Sequence, residues 1–325
     1  MAGISWSASG LHWINLYMPF TVFFRNHFCE NPTMPPIHRF PQGVAYFSAE
    51  RWWYSGINFG GTAQPVPINQ QDIVSLKSWI LAVFGDPQPQ ESDYKPGTAY
   101  KRISLPLNTT GNLHKAVDAT AMTQSFVALR LLLTKMQDIF ETVEPGPANL
   151  QTYGHKIREL LLLAAMEVEA SFSAVLKANG YIKGRFTTND YVNLLAPMLL
   201  DSFSLKLRSY PEFPTATPFL GWTPQYPTKS LDWYDAYNQT KHDREECLGE
   251  ATLARAVQAV AAAAIMFYAQ FGFSFQMDDE RRSLLRNVFT LAVDQSKYPT
   301  SCYIPSAEGG TKAWDWELLD YPFPA

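Results

Sequence analysis

Cysteine is scarce in this chain. Cys29, Cys247 and Cys302 are the only three in 325 residues, they are widely spaced, and no CxxC pair or Cys/His cluster occurs. That argues against a structural zinc site or a disulfide scaffold and suits a reducing, cytoplasmic setting. Charge is sparse as well, at 17% of residues against roughly 25% in an average soluble chain. Lys and Arg number 26 against 30 Asp and Glu, a net charge of −4. The broad basic surface of a nucleic-acid-coating protein is therefore missing, although a local basic site is not excluded. No P-loop, GxGxxG, GxSxG, HExxH or EF-hand loop is present, and His12, His27 and His38 match no metal-binding spacing. No metal or cofactor is expected.

Long apolar runs are few. Leu11 to Phe24 is interrupted by His12, Asn15 and Pro19 and has no early positive charge, so it does not read as a signal peptide. It is also short of the roughly 20 residues that a membrane helix needs. Ala251 to Phe273 comes closer, but Arg255, Gln258 and Gln270 punctuate it and alanine is only weakly hydrophobic. The expectation is the central helix of a soluble bundle, apolar nearly all round, with no membrane partner.

Hydrophobic residues, in contrast, make up 46% of the chain, including 9 Trp, 16 Tyr and 21 Phe, enough for a large core. Val44 to Trp53 and Ala99 to Leu105 carry the aromatic and β-branched residues of strands. Gln71 to Phe84 has helical spacing and ends at Gly85-Asp86-Pro87. From Asn112 the texture turns helical: Leu113 to Glu141, then Asn149 to Ala178 with a stop at Asn179-Gly180, then a shorter helix from the Thr187–Asp190 cap through Leu200. Five prolines between 209 and 229 forbid a continuous helix there. Helix resumes near Leu231, runs past Arg244, and is followed by the alanine-rich helix from about Gly249 to Phe271. A short helix over Arg281–Leu291 and an aromatic tail, Trp314 to Phe323, complete the chain. The expected class is mainly α, with an α+β lobe over 1–110, a helical bundle over 111–275 and an irregular extension over 276–325.

The segment LDWYDAYNQTKHDR (231–244) is the richest in chemistry. On a helix Tyr234, Asn238, Lys241, His242 and Glu245 recur at spacings of three and four, so they share one face. An imidazole titrates near neutrality and suits proton transfer, and an adjacent lysine suits a phosphate. Plain packing is the competing account, with Trp233, Tyr234 and Tyr237 in the core and His242 hydrogen-bonded there. On the long helix Glu159 and Glu167 lie two turns apart near one face, among leucines and alanines. Either would serve as the partner of Lys241 or His242, because a buried carboxylate needs one. Glu169 reads as the more solvated acid.

The order RELLLLAAMEVEAS (158–171), a short helix, a proline-rich stretch, WYDAYNQTKHDR (233–244) and EATLARAVQAVAAAAIMF (250–267) resembles the HEPN-like helical bundles, the "higher eukaryotes and prokaryotes nucleotide-binding" superfamily. It is most similar to bacterial members with a W-Y-x-x-Y-N-x-x-K-H-x-R segment, and the likeness covers about residues 149–273. It implies an antiparallel helical bundle, a homo-oligomer, and a nucleotide, RNA or protein partner, and the wider superfamily implies antiviral defence. In its ribonucleases an arginine, a polar residue and a histidine cleave RNA without metal. His242 and Asn238 match the last two, but Tyr237 stands where the arginine belongs, and a phenol cannot make a bidentate phosphate contact. Lys241, one turn beyond and about 40° round the helix, could supply a cation. Arg244 completes the segment. Three functions follow: a catalytically inactive binding or docking module, a metal-independent ribonuclease using His242 with Asn238 and Lys241, or a structural protein without a ligand.

Overall fold

A computed structural model describes residues 21–24, 43–48, 51–58, 61–62, 66–69, 75–92, 97–105, 118–272, 285–294, 303 and 317–324. The protein is mainly α, with a few small sheets.

Among the described residues the N-terminal part is a sheet with a helix against it. Strands β1 (Thr21–Phe24), β2 (Gly43–Ser48), β3 (Arg51–Asn58), β4 (Gly61–Thr62), β5 (Val66–Pro67) and β6 (Gln90–Ser92) form it, in the order β4-β3-β2-β1-β6 with β5 beside β3. The stretch Val44–Trp53 is not one strand. Its two halves, β2 and β3, pair antiparallel with one another, Ser48 opposite Arg51. Helix α1 (Leu76–Phe84) starts later than its apolar spacing suggests, because Ser75 accepts the Ser78 N–H as N-cap. Gly85 then ends it in the left-handed region with φ of 73°. Ile80 and Leu76 pack with Val22, Phe24, Ala45 and Ile68 into a small core of their own.

The large core lies elsewhere. Helices α2 (Ala119–Phe140) and α3 (His155–Ala178) form a hairpin, pinned on the outside by Lys135 to Glu159 at 2.7 Å. Asp118 caps α2 through the Ala121 N–H. Helix α3 stops at Asn179 and Gly180, where Gly180 takes φ of 75° and the Tyr181 N–H returns to the Leu176 carbonyl. The helix expected through Leu200 is shorter: α4 covers Thr188–Tyr191, and 3₁₀ turns at Val192–Leu194 and Leu200–Ser202 follow. Pro197 has no N–H to continue the ladder, and Leu199 sits at a left-handed φ of 53°.

Strand β8 (Phe203–Leu207) pairs antiparallel with β9 (Phe289–Val293). The helix expected over Arg281–Leu291 therefore gives way to a strand at Phe289, while 281–284 lie outside the described residues. Helices α5 (Asp232–His242) and α6 (Arg244–Cys247) are separate, because Asp243 adopts a non-helical φ of −134° and caps α6 through the Glu246 N–H. Helix α7 (Leu253–Phe271), capped by Thr252, is buried on every side. By length and mean hydropathy it could cross a membrane, but 83% of its apolar window is covered by protein, as expected of a core helix. Its run Ala261–Ala264 meets Ala164 and Ala165 of α3 in the same core, and small side chains let two helix backbones approach closely.

The strand expected over Ala99–Leu105 is only β7 (Thr98–Tyr100), ended by a turn at Arg102 with φ of 55°. Ala99, Ile103 and Leu105 join the helical core, not the small N-terminal one. Strand β10 (Glu317–Leu319), in the aromatic tail, pairs parallel with β7. Asn179 ties this region together, donating to the Lys101 carbonyl and accepting from the Tyr321 N–H, both at 2.8 Å.

Candidate functional site

Helix α5 is held at both ends by arginines from its neighbours. Arg255 of α7 forks onto Asp232 in the first turn of α5, at 2.7 and 2.8 Å, and also bonds Glu250. Arg158 of α3 donates from Nε and Nη2 to the Thr240 carbonyl at 3.2 and 2.6 Å, placing a cation on the last turn, where carbonyls lack helical partners. An anion at the N-terminus and a cation at the C-terminus both oppose the helix dipole.

Between these clamps the inner face of α5 meets α3 through one carboxylate. Glu169 accepts the hydroxyl of Tyr234 on one oxygen, in a very short contact, and that of Tyr237 on the other at 3.2 Å. Lys241, one turn further, donates to the Tyr237 hydroxyl at 2.9 Å and lies over its ring at 4.9 Å from the centroid. The result is a chain: ammonium to phenol, phenol to carboxylate, and a second phenol to the same carboxylate. Burial, and then the bond to Glu169, push the Tyr234 phenol far above its ordinary range. Burial also raises Tyr237, against the pull of Lys241, whose own pKa is raised by its bond to that phenol.

The acid expected at this junction was Glu167 or Glu159, with Glu169 in solvent. The structure reverses the assignment. Glu159 faces outward to Lys135, and Glu167 faces the opposite flank, toward Arg102. Helix geometry explains the difference: Arg158 and Glu169 are eleven residues apart, and at roughly 100° per residue they fall within about 20° of one another on the edge that faces α5. Glu159 and Glu167 fall well to the other side. Burial raises the Glu167 carboxyl, and Arg102 opposes that shift.

The remaining expected residues divide sharply. Tyr237 is fully buried. Asn238 bends back, its amide donating to the Tyr234 carbonyl at 3.0 Å. His242 is exposed at the last residue of α5, so it is not a core histidine. Lys241 is exposed as a residue although its ammonium bonds the Tyr237 hydroxyl, and Glu245 lies in solvent on α6. The Arg244 side chain lies outside the described residues.

No family model, curated protein or solved structure matches the chain.

Sequence reasoning missed several groups that join this edge. Ser173, one turn from Glu169 on α3, shares a hydrogen bond of 3.0 Å with the hydroxyl of Tyr191 at the end of α4. Phe186 packs on Tyr191 with centroids 6.4 Å apart, and next to it the exposed Arg185 comes within electrostatic reach of both Tyr191 and Lys241. The Glu169–Ser173 spacing of four was available in the sequence, whereas Arg185 sits in a loop whose approach only the fold defines. Among the described residues no group of three or more His, Cys, Asp or Glu side chains could hold a metal ion.

Proposed function

We propose that the helical part is a HEPN-like module that binds the phosphate of a nucleotide or RNA at the exposed end of α5 and does not cleave it. The observation that carries this is the burial of Tyr237 between Glu169 and Lys241. The helix position that holds a guanidinium in the resembled ribonucleases is occupied here by a packing residue. Its hydroxyl is committed to a carboxylate and cannot reach a scissile phosphate. Lys241 uses one proton on that phenol and has the others for a phosphate, and His242 beside it is open to solvent. A homo-oligomer and a role in a bacterial defence system belong to the same proposal through the resemblance alone.

Binding and cleavage separate in one pair of assays. Labelled single-stranded RNA should bind the purified chain with an affinity that falls as salt rises, and Lys241→Ala should weaken binding whatever the RNA sequence, because phosphate contacts read no bases. The same RNA incubated with the protein in chelator should stay intact. Cleavage that disappears in His242→Ala would instead establish the ribonuclease reading, which the exposed imidazole at the helix end favours. RNA and nucleotide both failing to bind would end the proposal.

A further inference from the structure

We infer that the cleft between the end of α2 and the β8–β9 pair is a binding site for a guanidinium carried on an apolar stem. This site is separate from the phosphate-binding reading at α5 and stands or falls without it.

Three pieces of chain enclose the cleft, whose volume is about 370 Å³. Phe140 and Glu141 come from the end of α2, Tyr210 from the turn after β8, and Asn287 and Val288 from the approach to β9. That volume falls at the lower end of small-molecule sites, which run from roughly 300 to 1,000 Å³. Backbone bonds hold the walls: the Arg208 N–H donates to the Val288 carbonyl at 2.9 Å, and the Phe213 N–H to the Tyr210 carbonyl at 3.1 Å. The floor is apolar. Phe140 and Val288 are buried, and the half-buried Tyr210 meets Phe140 edge to face with centroids 5.2 Å apart. The rim is polar, with Gln137, Glu141 and Asn287 exposed.

The electrostatics of the lining favour a cation. Glu141 is its one charged side chain, and among the described residues no basic group partners it. The last turn of α2 contains no basic residue, and Asp138 and Glu141 add negative charge where the helix dipole is already negative. Aromatic faces attract cations as well. Arg208 and Arg286 flank the lining without joining it, and the Arg208 guanidinium is turned onto the Arg286 carbonyl at 3.1 Å. A guanidinium fits better than an ammonium. It is planar, so it can lie on a ring, and its fixed fork of N–H donors suits the Glu141 carboxylate and the amide oxygens of Gln137 and Asn287. The apolar floor then covers the stem. A free small molecule and a single arginine side chain of a peptide offer this same chemistry.

The test titrates the full chain with butylguanidine, its neutral isostere butylurea, butylamine, and N-acetyl-arginine methylamide as the peptide source. Ligand-observed NMR reads binding, and circular dichroism confirms that each variant folds. Butylguanidine should bind about tenfold more tightly than butylurea, with butylamine between them, because its hydrogen bonds to the carboxylate are charge-assisted. The difference should shrink as salt rises. Glu141→Gln should remove most of the preference. Glu141→Lys should abolish butylguanidine binding and keep the fold, since a lysine at a helix C-terminus suits the dipole. Binding of the arginine derivative with the same dependence on Glu141, but not of butylguanidine, supports the site and assigns it to a peptide side chain. Tightest binding by butylamine overturns the choice of a guanidinium. Equal binding of butylguanidine and butylurea, binding untouched by Glu141→Lys, or failure of every probe to bind overturns the site, and RNA binding at Lys241 is unaffected by any of these results.

Discussion

Glu169 is the residue on which the junction of α3 and α5 depends. It is half-buried, and both oxygens are occupied by phenols from one helix face. Tyr234→Phe removes one donor while keeping the ring in place, and should cost about 1.5–3 kcal/mol in a denaturant titration, the range for hydrogen bonds to charged groups. Glu169→Gln should cost a similar amount. The double variant should cost clearly less than their sum, because the two changes delete the same bond. Additive losses would show that the short contact contributes little. Alkaline pH probes the same phenols. Burial pushes Tyr268 up to about 12 and shifts Tyr46, Tyr234 and Tyr237 in the same direction. Unfolded phenols ionise near pH 10. A raised folded pKa therefore means that this stability is complete below about pH 10 and is lost as pH rises through the folded values. The thermal midpoint should fall steeply above that pH, with phenolate absorbance appearing only on unfolding. An unshifted phenolate titration in the folded protein would contradict it.

Among the elements, the turn from Tyr181 to Tyr191 and helix α7 carry the clearest consequences. Asp190 is buried, and burial alone would raise its carboxyl. Bonds from Lys183, the Thr187 N–H and hydroxyl, and Tyr181 outweigh that and hold it below the ordinary range. A depressed folded pKa contributes stability above the unfolded value of about 3.9, and that stability is lost as pH falls below it. Asp190→Asn should lower stability at neutral pH and flatten its dependence below about pH 4, measured by urea unfolding across that window. Helix α7 has no exposed face to absorb extra volume. Ala262, fully buried, should not accept leucine without strain of about 1–3 kcal/mol, visible as a lower melting temperature. An unchanged midpoint would mean that the helices around α7 can move apart.

At the scale of the whole molecule the described residues form two hydrophobic cores of unequal size, one around α7 and one between α1 and its sheet. Ile80 is fully buried in the smaller. Ile80→Ala should cost about 2–5 kcal/mol there, and should lower a transition seen by the fluorescence of Trp52 and Trp79 while the helical signal at 222 nm keeps its midpoint. A single transition moved equally in both signals would show that the two cores unfold together.

Local pattern was enough to find the long helices, because periodic burial, caps and proline stops act within a few residues of chain. It also singled out Tyr234, Tyr237, Asn238, Lys241 and His242 as one segment of interest. The alternation in Phe203-Ser204-Leu205-Lys206-Leu207 marks β8 in hindsight, but its partner, Phe289–Val293, is more than eighty residues away. A strand that short becomes stable only once paired. The two acids of α3 expected to meet α5 both face elsewhere, and Glu169 takes the role, because sequence spacing gives the relative angle of residues on a helix but not which side a neighbouring helix occupies. The sequence by itself therefore determined the mainly helical class and the apolar central helix, and it singled out the segment that carries the candidate site. Only tertiary packing decided which carboxylate of α3 meets α5, and that Tyr237 is enclosed while His242 stays in water, since each depends on groups far apart in the chain brought together by the core.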